Sequence, residues 1–184
     1  ARALAACGAS VALLDVNYDA AKAIADDIGD NAFAVKCNCL DKQSIIEAKK
    51  AVDERFGGTD ILINGAGGNN TAANNNKATA STNVYIKLGA GTNNYYHVAA
   101  KCAATPETKG VKDFFALEES GLKFVFDLNI TSAFLVTQVF AEDMTKTGGN
   151  IINISSMNAF RPLTKIPAYS AAKAGISNFT QWLP

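Results

Sequence analysis

The sequence lacks the features that mark several large classes of protein. Its 184 residues include only four cysteines, at positions 7, 37, 39 and 102, too few and too scattered for a disulfide-stapled secreted module. Its 17 basic and 17 acidic side chains balance, so no net charge attracts nucleic acid or anionic lipid. No stretch approaches the roughly 18 apolar residues of a membrane span. We also expect no signal peptide, because the first 15 residues lack its long apolar run and small-residue cleavage site. We therefore expect a cytoplasmic protein with reduced thiols and small-molecule ligands, without nucleic acid or membrane partners.

Metal ligands are equally scarce. The chain has one histidine, His97, and its four cysteines are dispersed. Cys37 and Cys39 lie at strand spacing, which points both thiols to one face without supplying partner ligands. We expect no metal site.

Short apolar runs alternate with longer helical patterns along the chain. This alternation is typical of βαβ units around a parallel sheet, and the length suits a single domain over residues 1–184. In the longest predicted helix, 117–144, helical spacing places five side chains on one side: Leu122, Val125, Phe126, Asn129 and Ala133. The predicted strands are 10–15, 32–37, 60–64 and 150–156, and the predicted helices are 1–7, 19–28, 41–56, 117–144 and 168–183.

Residues 69–112 interrupt this alternation. The segment is rich in Asn, Thr, Ala and Gly and contains no convincing periodic pattern. A loop of this length inside a domain is uncommon, and it usually serves as a lid or binding loop or is disordered. We interpret it as a variable insertion.

The densest chemical cluster consists of Ser156, Tyr169 and Lys173. Tyr169 and Lys173 are four residues apart in YSAAK, so a helix presents both on one face. A nearby ammonium stabilises a phenolate and lowers the tyrosine pKa, so that the pair can exchange a proton with a carbonyl or alcohol oxygen. Ser156, at a strand end, can donate to the same oxygen. The alternative is a half-buried tyrosine beside a solvated lysine.

The sequence resembles the short-chain dehydrogenase/reductase family. The features that carry the resemblance follow one another along the chain: Asp15, NGAG at 64–67, Asn129, Ser156 and YSAAK at 169–173. The resemblance implies a Rossmann-like doubly wound parallel sheet. It also implies that Ser156 positions the substrate oxygen, Tyr169 is the acid/base, Lys173 lowers the tyrosine pKa and binds ribose, and Asn129 holds a proton-relay water. Ser155 is the rival for the serine role, but strand alternation turns only one serine toward the site, and the thirteen-residue spacing to Tyr169 selects Ser156.

The cofactor expected from this pattern is NAD. A carboxylate such as Asp15 at the end of a strand can accept from ribose hydroxyls and repels a 2′-phosphate. The alternative is that Asp15 only caps a turn. Asn38 stands where the family often has an adenine-contacting Asp. Backbone approach to the cofactor is expected at Asn64, Gly65, Ala66 and Gly67, which follow a strand.

The sequence also resembles one branch of that family, the D-mannonate oxidoreductases, also called fructuronate reductases. Three segments carry this narrower resemblance: NGAGGN, FFALEESGLKFVFDLN and SSMNAFRPLTKIPAYSAAKAGISNFTQWL. It implies a sugar-acid substrate. Arg161 or Lys165 could pair with the substrate carboxylate, and Asn158 is a third substrate candidate. The alternative is that both cations are solvated loop charges.

The resemblance also implies missing parts. The chain opens within the family's first helix, so its first strand, its Gly-rich phosphate-binding turn and its final strands are expected to be absent, and the sheet incomplete. A rival hypothesis is therefore a non-catalytic dimerisation or regulatory module, or an inactive fragment. Apolar faces on the last two long helices are compatible with a homo-oligomer, a dimer or tetramer.

Overall fold

The structure is a computed structural model that describes residues 1–73, 114–163 and 165–183, with the backbone of 83–87 and 95–100. Its helices are α1 (Arg2–Ala6), α2 (Tyr18–Ile28), α3 (Lys42–Phe56), α4 (Glu119–Phe126), α5 (Ser132–Thr147) and α6 (Pro167–Trp182). Its strands are β1 (Val11–Asp15), β2 (Ala32–Lys36), β3 (Ile61–Asn64), β4 (Asn83–Lys87), β5 (Tyr95–Ala100) and β6 (Asn150–Asn153).

Local sequence signals explain where α3 begins and ends. Asp41 precedes the helix, and its side chain accepts a hydrogen bond from the backbone N–H of Gln43, as an N-cap does. Gly57 ends the helix in the left-handed conformation, with φ of 81°, which glycine adopts without a steric penalty. These two residues set the ends of the helix that was predicted at 41–56.

Parallel pairing confirms the predicted α/β class. β1 pairs with β2 from Val11 opposite Ala32 to Asp15 opposite Lys36, and β3 pairs with β6 from Ile61 opposite Asn150 to Asn64 opposite Asn153. β6 ends at Asn153, so the prediction of a strand through 156 is wrong, and both serines lie beyond it. Among the described residues the two pairs form separate two-stranded sheets, in line with the expected incomplete sheet.

A core between β-strands and helices holds these pieces together. Ile45 and Val52 of α3, Leu62 of β3 and Phe140 of α5 are buried in one cluster. Burying side chains of this size stabilises the fold by roughly 1.5–3 kcal/mol each. This cluster fixes β3, whose carboxyl end carries the NGAG turn.

The long predicted helix contains a local change of pitch. Between α4 and α5 the turn Asp127–Thr131 is a π-helix, so the register of side chains shifts there. Val125 and Asn129 are buried, whereas Leu122, which regular helical spacing places on the same side, is 47% exposed. Gly121 is buried in its place, because a Cβ there would lie 2.6 Å from the backbone nitrogen of Ala73.

The helical stretch Glu119–Thr147 is also long and apolar enough to cross a membrane, by length and composition only. The expectation that no segment approaches that test is therefore wrong. Core helices pass the same test, and this stretch packs against β3, β6, α3 and α6. Of its most apolar window, 39% is buried inside the structure.

The insertion contains two β-strands. β4 and β5 form an antiparallel pair, in which Asn83 lies opposite Ala100 and Lys87 opposite Tyr95. The short runs NVYIK and YYHVAA carry the β-branched and aromatic residues that favour strands, a pattern that the predicted strands did not include. Most of the remaining insertion lies outside the described residues.

A cleft separates the two parallel pairs. A cavity of about 1050 Å³ is lined by both β1 and β3, and by the residues that follow each strand. In β1, Val11 donates to the Asn31 carbonyl of the β2 side, and in β3 the Asp60 carbonyl accepts from Asn150. Since alternate residues of a parallel strand bond to one neighbour, Ala12, Leu14, Ile61 and Ile63 direct their backbone groups toward the cleft.

Hydrogen exchange tests this arrangement. We expect the amides of Ala12, Leu14, Ile61 and Ile63 to exchange markedly faster than those of Leu13 and Leu62, because only the latter pair with a neighbouring strand. Amide exchange followed by NMR on the purified chain measures the difference. Equal protection along β1 would contradict the unpaired edge.

Candidate active site

Helix α6 brings Tyr169 and Lys173 together. Pro167 occupies the first turn, where a missing N–H does no harm, and the two residues follow on one face. The Lys173 Nζ lies 5.7 Å from the centroid of the Tyr169 ring. The lysine is buried, whereas the tyrosine is half-buried. The predicted alternative of a solvated lysine is therefore wrong.

Burial sets the electrostatics of Lys173. Its Nζ donates a hydrogen bond to the carbonyl oxygen of Ile154 at 2.8 Å, just beyond β6. Desolvation lowers the pKa of Lys173 below its ordinary value of 10.5. An ammonium held in such a place favours a negative charge nearby more strongly than a hydrated one does.

The two serines after β6 face different partners. The Ser155 hydroxyl donates to the Lys173 carbonyl at 3.2 Å and lies 2.6 Å from the Ser177 hydroxyl, so it is engaged with α6. The Ser156 hydroxyl accepts from the backbone N–H of Asn158 at 3.2 Å. Ser156 thus keeps its own proton to donate, which supports its choice over Ser155.

Asn129 lies in the π-turn and is 1% exposed. Its Nδ2 donates to the carbonyls of Gly68 and Val125, both at 2.7 Å, and its Oδ1 accepts from the Gly68 N–H at 3.3 Å. The π-turn leaves a carbonyl free for this side chain, since the regular helical ladder is interrupted. Asn129 thereby ties the long helix to the turn after β3.

Gly67 is the point where these elements meet. A Cβ built on Gly67 would lie 2.9 Å from the Asn129 Oδ1 and 3.2 Å from the Lys173 Nζ. Only a residue without a side chain allows this approach. The predicted site residues Gly67, Asn129 and Lys173 are therefore in one place.

Asn64 has a different surrounding from its neighbours in the NGAG turn. Its Nδ2 donates to the Thr137 hydroxyl at 3.0 Å and to the Asn153 Oδ1 at 2.8 Å, and Asn153 in turn donates to Thr180. This chain of polar side chains runs from the buried Asn64 to the exposed Thr180 and joins β3, β6, α5 and α6. The Asn64 side chain therefore fixes the turn from inside, which leaves the backbone of the turn for a ligand.

The cavity between β1 and β3 collects the other predicted cofactor residues. The cavity is lined by six of the predicted cofactor residues: Asp15, Asn38, Asn64, Gly65, Ala66 and Gly67. One Asp15 oxygen accepts from the Asn17 N–H at 2.8 Å, so the turn-capping alternative is correct for that oxygen. Asn38 also caps locally, since its Oδ1 accepts from Leu40 N–H.

These residues fit a dinucleotide. A carboxylate at a strand end suits ribose hydroxyls, and a turn of small residues leaves room for a flat ring system. Burial raises the pKa of the Cys37 and Cys39 thiols that flank Asn38, so both remain protonated at neutral pH and neither is a nucleophile. Ser156, Tyr169 and Lys173 are not among the residues that line the cavity.

The three substrate candidates differ in exposure. Arg161 and Lys165 are exposed on the connection before α6, and Asn158 is buried in the turn Met157–Ala159 directly after Ser156. Two contributors were missed by sequence reasoning: the Gly68 backbone and the Ile154 carbonyl. The third glycine in NGAGGN was a signal for the Gly68 contact, whereas nothing in a sequence marks a carbonyl acceptor.

Comparison with known proteins agrees with this geometry. Residues 1–90 and 96–184 match the sequence profile of the short chain dehydrogenases. The chain belongs to that family.

Two relatives within the family are similar to this chain over its whole length. An uncharacterized oxidoreductase of Haemophilus influenzae is 49% identical over the whole chain, and an uncharacterized oxidoreductase of Bacillus subtilis, UxuB, is 39% identical. The chain spans 58% of the length of each.

A solved structure of a Haemophilus influenzae protein, provisionally named a D-mannonate oxidoreductase and holding bound NAD, is 46% identical with a TM-score of 0.79. It is matched over 99% of this chain and 58% of its own. Erwinia amylovora sorbitol-6-phosphate 2-dehydrogenase superposes with a TM-score of 0.72 at 25% identity, again over 99% of this chain and 58% of its own.

Substitution of Gly67 tests the central contact. Gly67→Ala should lower the free energy of unfolding by about 1–3 kcal/mol, because the new Cβ displaces Asn129 or Lys173. Gly65→Ala is the matched control, since nothing lies within 4 Å of a Cβ there. Thermal or urea unfolding compares the two, and equal stability would contradict the close approach.

The burial of Lys173 predicts a pH dependence of stability. Between its lowered folded-state pKa and 10.5 the unfolded chain binds the proton and the folded chain does not, so stability gains a positive slope with pH. Relative to Lys173→Met, the wild type should become more stable as pH rises through that window. Urea unfolding at several pH values checks this, and a constant difference would contradict it.

Proposed function

We propose that this chain is the catalytic part of an NAD-dependent oxidoreductase that interconverts a carbonyl and a secondary alcohol. The observation that carries the proposal is the buried Lys173 beside Tyr169, with Gly67 and Asn129 packed against it. Membership of the short chain dehydrogenases and the NAD-bound relative support the reaction class. When bound, NAD supplies or accepts the hydride.

The residues of the chain perform the proton chemistry. The Tyr169 hydroxyl gives its proton to the substrate oxygen in reduction and takes it back in oxidation. The Lys173 ammonium stabilises the phenolate left behind, because burial leaves little water to screen its charge. Ser156 donates its free proton to the same substrate oxygen, and Asn129 orders the groups behind Gly67 and anchors a relay water.

Asp15 supports NAD over NADP. Its side chain is exposed at the end of β1, and no arginine follows in Val16–Tyr18 to neutralise a 2′-phosphate. One carboxylate oxygen caps the turn, and the second is available to ribose hydroxyls. Asn38 and the 64–67 turn hold the remainder of the nucleoside portions.

The proposed substrate is a sugar acid of the D-mannonate or D-fructuronate type. The support is the NAD-bound relative that bears this name, together with the exposed cations Arg161 and Lys165 in the connection that follows Ser156. A guanidinium pairs well with a carboxylate, which suits the acid group of such a substrate.

The proposal includes a homo-oligomer and a cytoplasmic location. Phe134, Phe179 and Trp182 form an aromatic row across α5 and α6, with ring centroids 5.8 and 6.3 Å apart, and Trp182 is 73% exposed. Such a row suits a contact between subunits. The free thiols of Cys7, Cys37 and Cys39 suit a reducing compartment.

A non-catalytic dimerisation or regulatory module is the second candidate, as is an inactive fragment. The observation that favours it is the unfilled cleft between β1 and β3, together with the lack of a Gly-rich phosphate-binding turn among the described residues. Without such backbone amides a pyrophosphate loses its main partners.

Titration of NADH into the purified chain, followed by nicotinamide fluorescence, separates the two candidates. We expect saturable binding near micromolar, or about 8 kcal/mol, and turnover of D-mannonate with NAD. Absence of binding by a folded chain would favour the module or fragment.

Tyr169→Phe tests the acid/base assignment. It should lower turnover by about 10²–10⁴-fold, because only the phenolic proton is removed. NADH affinity should remain similar, which serves as the control for folding. Full activity in Tyr169→Phe would overturn the assignment.

A further inference from the structure

A row of polar side chains joins the end of β6 to α6. Asn153 donates to the Thr180 hydroxyl at 2.9 Å, and the Ser155 hydroxyl lies 2.6 Å from the Ser177 hydroxyl. Alternate residues of an extended chain point to the same side, which explains why Asn153 and Ser155 both reach α6. The same alternation separates Ser156 from this polar row, so the row lies behind the residue that serves the substrate.

Two bonds tie Lys173 to the residues just before Ser156. The Lys173 Nζ donates to the Ile154 carbonyl at 2.8 Å, and the Lys173 carbonyl accepts from the Ser155 hydroxyl at 3.2 Å. The Ser177 hydroxyl donates to the same carbonyl at 3.0 Å. The ammonium and the backbone of Lys173 are therefore both fixed to one dipeptide, 154–155.

The 154–155 dipeptide has a fixed place of its own. The Ile154 N–H donates to the Asn64 carbonyl at 3.1 Å, which extends the pairing of β3 with β6 by one residue. Ser155 leads directly into Ser156. The dipeptide thus determines where the serine and the ammonium lie relative to each other.

The bond from Ser155 is not needed by either element alone. A helix satisfies the Lys173 carbonyl with the N–H four residues later, and back-bonding of Ser177 to that carbonyl is common for a helical serine. The Ser155 hydroxyl comes from eighteen residues away, in a separate element. What it adds is the position of α6 relative to the dipeptide.

That position matters because the ammonium and the phenol are held differently. Around the ammonium lie the Tyr169 ring, the Ile154 carbonyl and the turn of Gly67 with Asn129, none of which is charged. The Ile154 carbonyl holds the Nζ, whereas Tyr169 moves with α6. A shift of α6 against the dipeptide therefore changes the distance between the ammonium and the phenol, and with it the stabilisation of a phenolate.

We infer that Ser155 is a positioning residue whose hydroxyl fixes α6 to the 154–155 dipeptide and thereby holds the Lys173 ammonium in its buried place beside Tyr169. Its consequence for catalysis rests on the proposed function, whereas the position is a property of the chain without ligands. Ser155 touches neither substrate nor cofactor, in contrast to the role proposed for Ser156.

Titration of Lys173 in the free chain tests the inference without turnover. The ¹³Cε resonance of Lys173 in lysine-labelled chain is assigned by its absence from Lys173→Met and followed against pH. Ser155→Ala should move the pKa of Lys173 upward, toward 10.5, because a helix released from the dipeptide admits water to the ammonium. Ser155→Thr, which keeps the hydroxyl, should restore the wild-type titration.

Thr180→Val is the matched control. Thr180 belongs to the same polar row, but its hydroxyl bonds to Asn153 and to the Ile176 carbonyl instead of to Lys173. The titration of Lys173 should therefore stay as in the wild type. An unchanged titration in Ser155→Ala, with a melting temperature lowered as in Thr180→Val, would show a role in stability alone and overturn the inference.

Ser177→Ala covers the case in which Ser155→Ala does not fold. It removes the second hydroxyl from the Lys173 carbonyl and the partner of Ser155, so the titration of Lys173 should move in the same direction. A wild-type titration in that variant would overturn the inference.

Kinetics test the consequence for catalysis. With NAD and D-mannonate at pH 7, Ser155→Ala should lower kcat by about three- to tenfold, the factor that one hydrogen bond represents, and leave KM unchanged. Its pH profile should shift to higher pH, because the phenolate is stabilised less, and return in Ser155→Thr. An unchanged kcat and pH profile would overturn the inference. No turnover by the wild type would be a failure of the proposed function, and the titration would still decide the role of Ser155.

Discussion

The buried ammonium of Lys173 is the interaction on which the rest of the site depends. It is bonded to the Ile154 carbonyl after β6, it lies below the Tyr169 ring, and it touches the space that Gly67 leaves open. Placing a charge there opposes folding, because the surroundings replace little of its hydration. The core around Ile45 and Phe140 supplies the stability that keeps β3 and β6 in place, and through them the charge.

The long helix contributes through a defect in its regularity. The π-turn at Asp127–Thr131 allows Asn129 to bond the Gly68 backbone and the Val125 carbonyl at once. A regular helix through the same residues would shift Asn129 away from the NGAG turn. The same turn lets Ile130 approach α6 closely, since a Cβ at Gly175 would lie 2.7 Å from the Ile130 Cδ1. Helix packing and the chemical site therefore share one irregular turn.

The two parallel strand pairs position different parts of the candidate site. β3 leads into the turn at Gly67, and β6 leads into the segment that holds Ser156. The position of both strands follows from the core and from the Asn64–Asn153 bond. β1 and β2 carry Asp15 and Asn38 on the other side of the cleft. A dinucleotide would contact both sides of the cleft, so its binding depends on the two strand pairs keeping their relative position.

The sequence alone determined the alternation of strands and helices and the presence of Tyr169 and Lys173 on one helix face, because periodicity and spacing act over a few residues. The role expected of Asn129 came from the family resemblance. The tertiary structure decided what depends on distant partners. It exposed Leu122 because Gly121 packs on Ala73, ended β6 before the serines, and gave Ser155 to α6. It also paired β4 with β5, and it buried Asn158 without a partner. These outcomes follow from close contacts between residues far apart in the chain, which no local pattern encodes.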